Sequence, residues 1–181
     1  DQASNQHQLW EVTGLQVTTG LTGIPTATVK MCGPDGMERY LASTGTGPVD
    51  AVYKAIDQII GVSVNLEAYH MNAVTEGIEA LASTRVTISP VVGGPNDSIG
   101  TDLQTGLVRE HKFTGSGSDT DIVTSSARAY VSALNKLLNW TLRQKKLQSS
   151  TPTDNTNNEE AAKEQETEVT ETQSEVMQVN P

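Results

Sequence analysis

The sequence predicts an α+β fold of two pseudo-symmetric strand-strand-strand-helix units, an internal duplication, followed by a disordered acidic tail. Three observations lead to it. Apolar residues alternate with polar ones over short segments in both halves of the chain, the period of half-buried strands. Two longer stretches, after Gly45-Thr46-Gly47 and after Gly115-Ser116-Gly117, carry apolar residues at helical spacing instead, and the two Gly-x-Gly motifs lie 70 residues apart. The charge, finally, is concentrated at one end. Gln148–Pro181 holds eight acidic residues against Lys163 alone, out of 22 acidic and 12 basic in all 181 residues.

The segments follow in chain order. Residues 1–8 are polar and expected to be loose. Trp10 and Val12 alternate with polar neighbours, and Leu15 and Val17 continue after a one-residue phase slip at Gly14, which predicts a strand with a bulge. Ala27, Val29 and Met31 alternate with polar neighbours in a second strand. Gly33-Pro34-Asp35-Gly36 is a turn signal, and Met37–Thr44 reads as the returning strand of a hairpin.

At Gly47-Pro48-Val49-Asp50, proline suits a first helical position and Asp50 complements the positive end of the helix dipole. Val49, Val52, Tyr53, Ile56, Ile59 and Ile60 form one apolar face, and Gly61 ends the helix. The second unit repeats this plan. Ser63–Val74 and Ala80–Ser89 read as extended, Pro90–Thr105 as a long loop and Gly106–Thr114 as a strand. Gly115-Ser116-Gly117-Ser118-Asp119-Thr120-Asp121 then reads as a second helix start, with Ser118 and Asp121 at capping-box spacing. The helix that follows carries Ile122, Ala129, Ala133, Leu137 and Trp140 along one stripe, with Tyr130, Leu134 and Leu138 beside it. The units are bounded at 9–61 and 62–147, and together they make one domain, 9–147.

Beyond it, Gln148–Pro181 has no aromatic and no glycine, and its charge leaves too little apolar area to offset the entropy of ordering; it is expected to be disordered. The rest, with 14 acidic and 11 basic residues, is a poor electrostatic match for nucleic acid. No stretch approaches the roughly 20 apolar residues of a membrane span. A single cysteine excludes an internal disulfide. The chain opens at Asp1 without a signal or transit pattern and is expected to be a processed or excised piece.

Catalytic signals are few. His7, His70 and His111 belong to no metal-spacing motif and are expected to be structural or surface residues; Cys32 has no partner for a Cys–His site. No phosphate loop is present, and neither Gly-x-Gly extends into a dinucleotide-binding register. Asn139-Trp140-Thr141 matches a glycosylation sequon but falls inside the second helix. The two helix starts are the strongest binding candidates, since free first-turn amides and the helix dipole attract an anion; tight turns chosen for backbone geometry explain the same glycines. Asp119 and Asp121 suit a ligand ammonium or a cap. Ala80 and Ala82, beside Tyr69–Gly77, leave room for a close-packed helix or a small apolar ligand.

Four segments together resemble the carboxy-terminal regulatory domain of 2-isopropylmalate synthase, with wording most similar to the plant plastid enzymes. They are Gly45–Ile56, Met71-Asn72-Ala73-Val74-Thr75-Glu76-Gly77, Gly115–Val123 and Ala129–Lys136, and the likeness extends from about Trp10 to Leu138. The resemblance implies a dimer of duplicated units that binds L-leucine and inhibits a distant metal-dependent barrel, where acetyl-CoA condenses with 2-oxoisovalerate. It implies a plastid location. It places leucine against Gly45, Gly47, Pro48 and Val49, with Leu66, Tyr69, Ala73, Ala80 and Ala82 lining the pocket and Gly117, Ser118 and Asp119 contributed by the second unit. Helix-start amides would hold the carboxylate, an acidic group or carbonyls the ammonium, and the small alanines would leave a recess for the isobutyl group. No cofactor is implied for this chain; the divalent metal belongs to the barrel, for which 181 residues leave no room, so the chain is expected to be inactive alone. Glu79 stands where the family's Gly-x-Asp-Ala pattern has an aspartate. The partners implied are a second copy or a full-length synthase subunit. Two other readings remain open: the isoleucine-sensing domain of a citramalate synthase, and a truncated copy that only dimerises.

Overall fold

The computed structural model describes residues 9–74, 80–91 and 111–149, with the backbone alone at 145 and 147–149. Strands β1 (Glu11–Thr18), β2 (Thr26–Cys32) and β3 (Glu38–Thr44) form one antiparallel sheet in the order β1-β2-β3, followed by helix α1 (Pro48–Ile60). Strands β4 (Val64–Ala73), β5 (Ala82–Pro90) and β6 (Phe113–Asp119) form a second in the order β4-β5-β6, followed by α2 (Ile122–Ser149). The duplication extends to a local irregularity. The first strand of each sheet has a register shift, between Val12 and Gly14 in β1 and between Leu66 and Ala68 in β4, so Thr13 and Glu67 are corresponding bulge residues.

Ala27, Val29 and Met31 of β2 are fully buried beneath α1, which packs mainly over β2 and β3. The hairpin turns at Gly36, whose φ of 74° is the left-handed conformation that glycine tolerates best. Asp35 fixes that turn by accepting from the Met37 amide and from Arg39. Gly61, with φ 75° and ψ 39°, ends α1 in a left-handed cap, its N–H donating to the Asp57 carbonyl.

The second helix is more deeply enclosed. Ala127, Ala129, Tyr130, Val131, Ala133, Leu134 and Leu137 are all buried, and they point to several sides of α2 rather than to one stripe. The reason is that α2 meets neighbours on several sides. Ala129 and Ala133 meet β6, Tyr130 meets α1, and Asn135 reaches the first sheet, exchanging two hydrogen bonds with the backbone of Trp10 at 3.0 and 2.9 Å. The core is continuous across both units.

One expectation is corrected. The third strand of the second unit, Phe113–Asp119, runs past the expected end at Thr114, and the helix begins only at Ile122; residues 106–110 of the expected strand lie outside the described residues. Gly115 and Gly117 therefore lie inside a strand rather than in a helix-start turn, and they do not correspond to Gly45 and Gly47. Their glycine character has a packing cause. A Cβ on Gly115 would meet the Ala129 carbonyl and the Ala133 amide; one on Gly117 would lie 2.5 Å from the Ser125 carbonyl oxygen and 2.6 Å from the Ala129 nitrogen. The absence of both side chains lets the α2 backbone rest on β6.

Residues 1–8 with His7, the end of the Met71–Gly77 motif with Glu79, most of the Pro90–Thr105 loop with residues 106–110, and the acidic tail from 150 onward lie outside the described residues, while Gln148 and Ser149 of the expected tail are in the last turn of α2. His70 is on β4 and exposed, and His111 packs against Trp140 with centroids 4.4 Å apart and planes tilted by 43°. No described helix is long and apolar enough to cross a membrane, and no group of three or more metal-ligating side chains occurs among the described residues.

Candidate functional site

The two helix starts differ in kind. At α2, Asp121 is the cap: its Oδ2 accepts from the Thr124 amide (3.0 Å) and hydroxyl (2.6 Å), and its Oδ1 lies 3.4 Å from the Val123 amide. Those hydrogen bonds hold its carboxyl below the usual carboxylate range, so an anion already occupies this end. Ser118, expected at the cap, is instead on β6 and exposed.

At α1 no side chain caps Gly47. The first-turn amides of Val49 and Asp50 have no intrahelical acceptor, and Pro48 has no amide to satisfy. Gly45 is committed elsewhere, its N–H donating to the Pro25 carbonyl at 3.0 Å. Asp50 turns back, accepting from the Thr46 amide (2.8 Å) and from Lys54 Nζ (2.9 Å), and these bonds keep it ionised. The first helix start is thus uncapped, with its one carboxylate neutralised by Lys54.

Six of the other expected residues share a surface. Across the second sheet, Ala73 pairs with Ala82 and Ala82 with Asp119; Tyr69 pairs with Val86, Leu66 with Ile88 and Thr84 with Gly117. Directly opposed residues project from the same face. Leu66, Tyr69, Ala73, Ala82, Gly117 and Asp119 therefore all lie on the side that α2 covers. Coverage is uneven. Ala82, Thr84, Val86 and Ile88 of β5 are buried, whereas Leu66, Tyr69 and Met71 of the edge strand β4 are 50, 38 and 42% exposed. Ala80 precedes β5 and is half-buried. Asp119 is committed to Arg128 Nη1 at 3.0 Å and to the Asp121 amide at 3.0 Å.

Ser126, which the sequence did not single out, joins the two halves of this surface. Its hydroxyl lies 2.8 Å from the Tyr69 hydroxyl of β4, and its carbonyl accepts from the Tyr53 hydroxyl of α1 at 3.4 Å. The neighbouring Ser125 hydroxyl pairs with Thr84 of β5 at 2.8 Å, both groups fully buried. The signal was present: two adjacent serines interrupt the otherwise apolar buried side of a helix, a position where hydroxyls need partners. Tyr53 of α1, Tyr69 of β4 and Ser126 in the second turn of α2 thus converge. Gly117 and Ser118 do not join them, one packed under α2 and the other on the opposite face.

The chain matches the family model of the LeuA allosteric (dimerisation) domain over residues 1–138. It is 49% identical over 140 residues to 2-isopropylmalate synthase B of Solanum pennellii, covering 77% of this chain and 22% of that protein. To the chloroplastic 2-isopropylmalate synthase 2 of Arabidopsis thaliana it is 46% identical over 140 residues, with the same coverage of 77% and 22%. A third relative, 2-isopropylmalate synthase of Olsenella uli, is 41% identical over 133 residues, 74% of this chain and 23% of the relative. The chain spans a little over a fifth of the length of these relatives. With most of its length matched, the chain belongs to the LeuA allosteric (dimerisation) domain family.

Proposed function

We propose that this chain is an effector-binding and self-associating regulatory module that takes L-leucine and acts on a 2-isopropylmalate synthase catalytic unit. The observation that carries the reading is the contrast between the helix starts: α2 is closed by Asp121, while α1 is left uncapped at Gly47. An amino-acid carboxylate fits the amides of Val49 and Asp50, which lack acceptors. The isobutyl group would lie against Ala73, Ala80 and Ala82, where small side chains leave space on a face that α2 does not fully cover; Leu66, opposite Ile88 and roughly 20 Å further along the sheet, is out of its reach.

The same half-exposed edge supports self-association. Leu66, Tyr69 and Met71 form an apolar strip on the helix-facing side of β4, which a second copy would bury. Leucine bound there would favour one arrangement of the two copies, and only such differential affinity can transmit inhibition to a distant catalytic unit. The plant relatives, one of them chloroplastic, support a plastid setting.

Thermal unfolding with and without millimolar ligand tests the reading, because a ligand specific to the folded state must raise its stability. Leucine is expected to raise the melting temperature more than isoleucine does. A larger shift with isoleucine would favour the citramalate-synthase reading, and no shift with either would leave a dimerising module without an effector.

A further inference from the structure

Proton counting at Ser126 fixes the polarity of Tyr69. A serine hydroxyl has one proton to donate. The Ser126 hydroxyl lies 2.7 Å from the Ile122 carbonyl oxygen, an atom that can only accept, so that proton is committed there. The contact of 2.8 Å between Tyr69 and Ser126 must then run the other way, with the phenol donating and the serine oxygen accepting. The arrangement is duplicated next door, where Ser125 donates to the same Ile122 carbonyl at 3.0 Å and Thr84 must therefore donate to Ser125. One carbonyl of the first turn of α2 terminates both chains.

We infer that Ser126 is a positioning residue: by accepting the hydrogen bond of the Tyr69 hydroxyl it leaves the phenolic oxygen free only to accept, and so directs it to the α-ammonium of the bound amino acid. Ser126 is fully buried and cannot meet a ligand, whereas Tyr69 is 38% exposed on the candidate surface. Two carboxylates that would otherwise compete for the ammonium are engaged, Asp119 with Arg128 and Asp50 with Lys54 and the Thr46 amide. An acceptor without a proton to give would also repel a reversed pose with the ligand carboxylate at Tyr69. This inference rests on the leucine reading above.

The test combines a spectroscopic and a binding measurement on the full chain. The difference in tyrosine Raman signature between wild type and Tyr69→Phe should be that of a donating phenol; a signature of a purely accepting or unbonded phenol would overturn the assignment. In calorimetric titrations with L-leucine, Tyr69→Phe and Ser126→Ala should each weaken binding about three- to tenfold, the effect of one hydrogen bond. The double variant should be no weaker than Tyr69→Phe, because Ser126 acts only through Tyr69. Unchanged leucine affinity in Ser126→Ala, or losses that multiply in the double variant, would overturn the positioning role. Tyr69→Phe keeps the Ser126–Ile122 bond, so it guards against a folding artefact in Ser126→Ala. A wild-type chain with the donor signature but no leucine uptake would overturn the leucine reading, and the ammonium role with it, while the proton direction stood.

Discussion

Tyr53 of α1 and Tyr130 of α2 stack with ring centroids 4.0 Å apart and planes 12° from parallel. Each hydroxyl reaches across to the other helix: Tyr53 donates to the Ser126 carbonyl and Tyr130 to Asp57 Oδ1 at 2.7 Å. Burial raises the pKa of both phenols, so both remain donors at any ordinary pH. The stack ties the two units through their helices. Tyr130→Phe keeps the ring contact but removes the partner of a largely buried carboxylate. It should lower stability by about 1–3 kcal/mol in chemical denaturation at neutral pH. A change within error would show that water replaces the hydroxyl.

Asp57 gives the fold a pH dependence of definite sign. Burial pushes its carboxyl up from 3.8 to about 6, with the Tyr130 hydrogen bond opposing part of the rise. The folded chain then holds a proton that the unfolded chain has lost between pH 3.8 and 6, so this contribution is full below the window and disappears as pH climbs through it. Asp35, drawn down to about 2 by its hydrogen bonds to Arg39 and the Met37 amide, acts only below that window. Stability should therefore fall from pH 4 to pH 7 by about 1–2 kcal/mol from Asp57, allowing for solvent screening of a partly exposed group. Asp57→Asn should flatten the profile; equal slopes in both proteins would contradict the assignment.

Packing of α2 on the second sheet predicts a contrast among glycines. Gly115→Ala and Gly117→Ala drive a methyl group into the α2 backbone and should each cost about 3 kcal/mol in urea unfolding. Gly47→Ala meets nothing within 4 Å, and its φ of −157° suits any residue, so its stability should stay within about 0.5 kcal/mol of wild type. Comparable losses at all three sites would contradict the packing account.

That contrast also marks what could be read from the sequence. The β1 bulge was legible because one extra residue inverts the alternation, and Gly14 lies at the inversion. The end of α1 at Gly61 was legible from local chemistry alone. β6 was not. Gly115-Ser116-Gly117-Ser118 has the composition of a turn, and only the approach of α2 shows why a strand needs glycines there. The matching 70-residue spacing then reinforced the wrong equivalence, although the paired bulges and the strand order show that the duplication is real. For the site, the sequence offered both helix starts alike, and only the structure distinguishes the uncapped α1 from the Asp121-capped α2. The Ser126 bridge was not foreseen, since it depends on three elements meeting in space.

The apolar edge makes a prediction about assembly. Leu66→Lys and Met71→Lys change half-exposed side chains outside the core, so each should leave the melting temperature of a dilute, leucine-free sample near that of wild type. Light scattering should show a dimer for wild type and a monomer for the double variant. A double variant that remained a dimer would place the contact elsewhere.

The central claim is that the uncapped start of α1 receives the effector carboxylate, and calorimetric titration of L-leucine into Gly47→Glu tests it most directly. The substitution adds a negative charge at a site open to it, where no Cβ clash disturbs the fold. The account predicts leucine binding by wild type and none by the variant, with both melting at the same temperature without ligand. Undiminished leucine affinity in Gly47→Glu would contradict it.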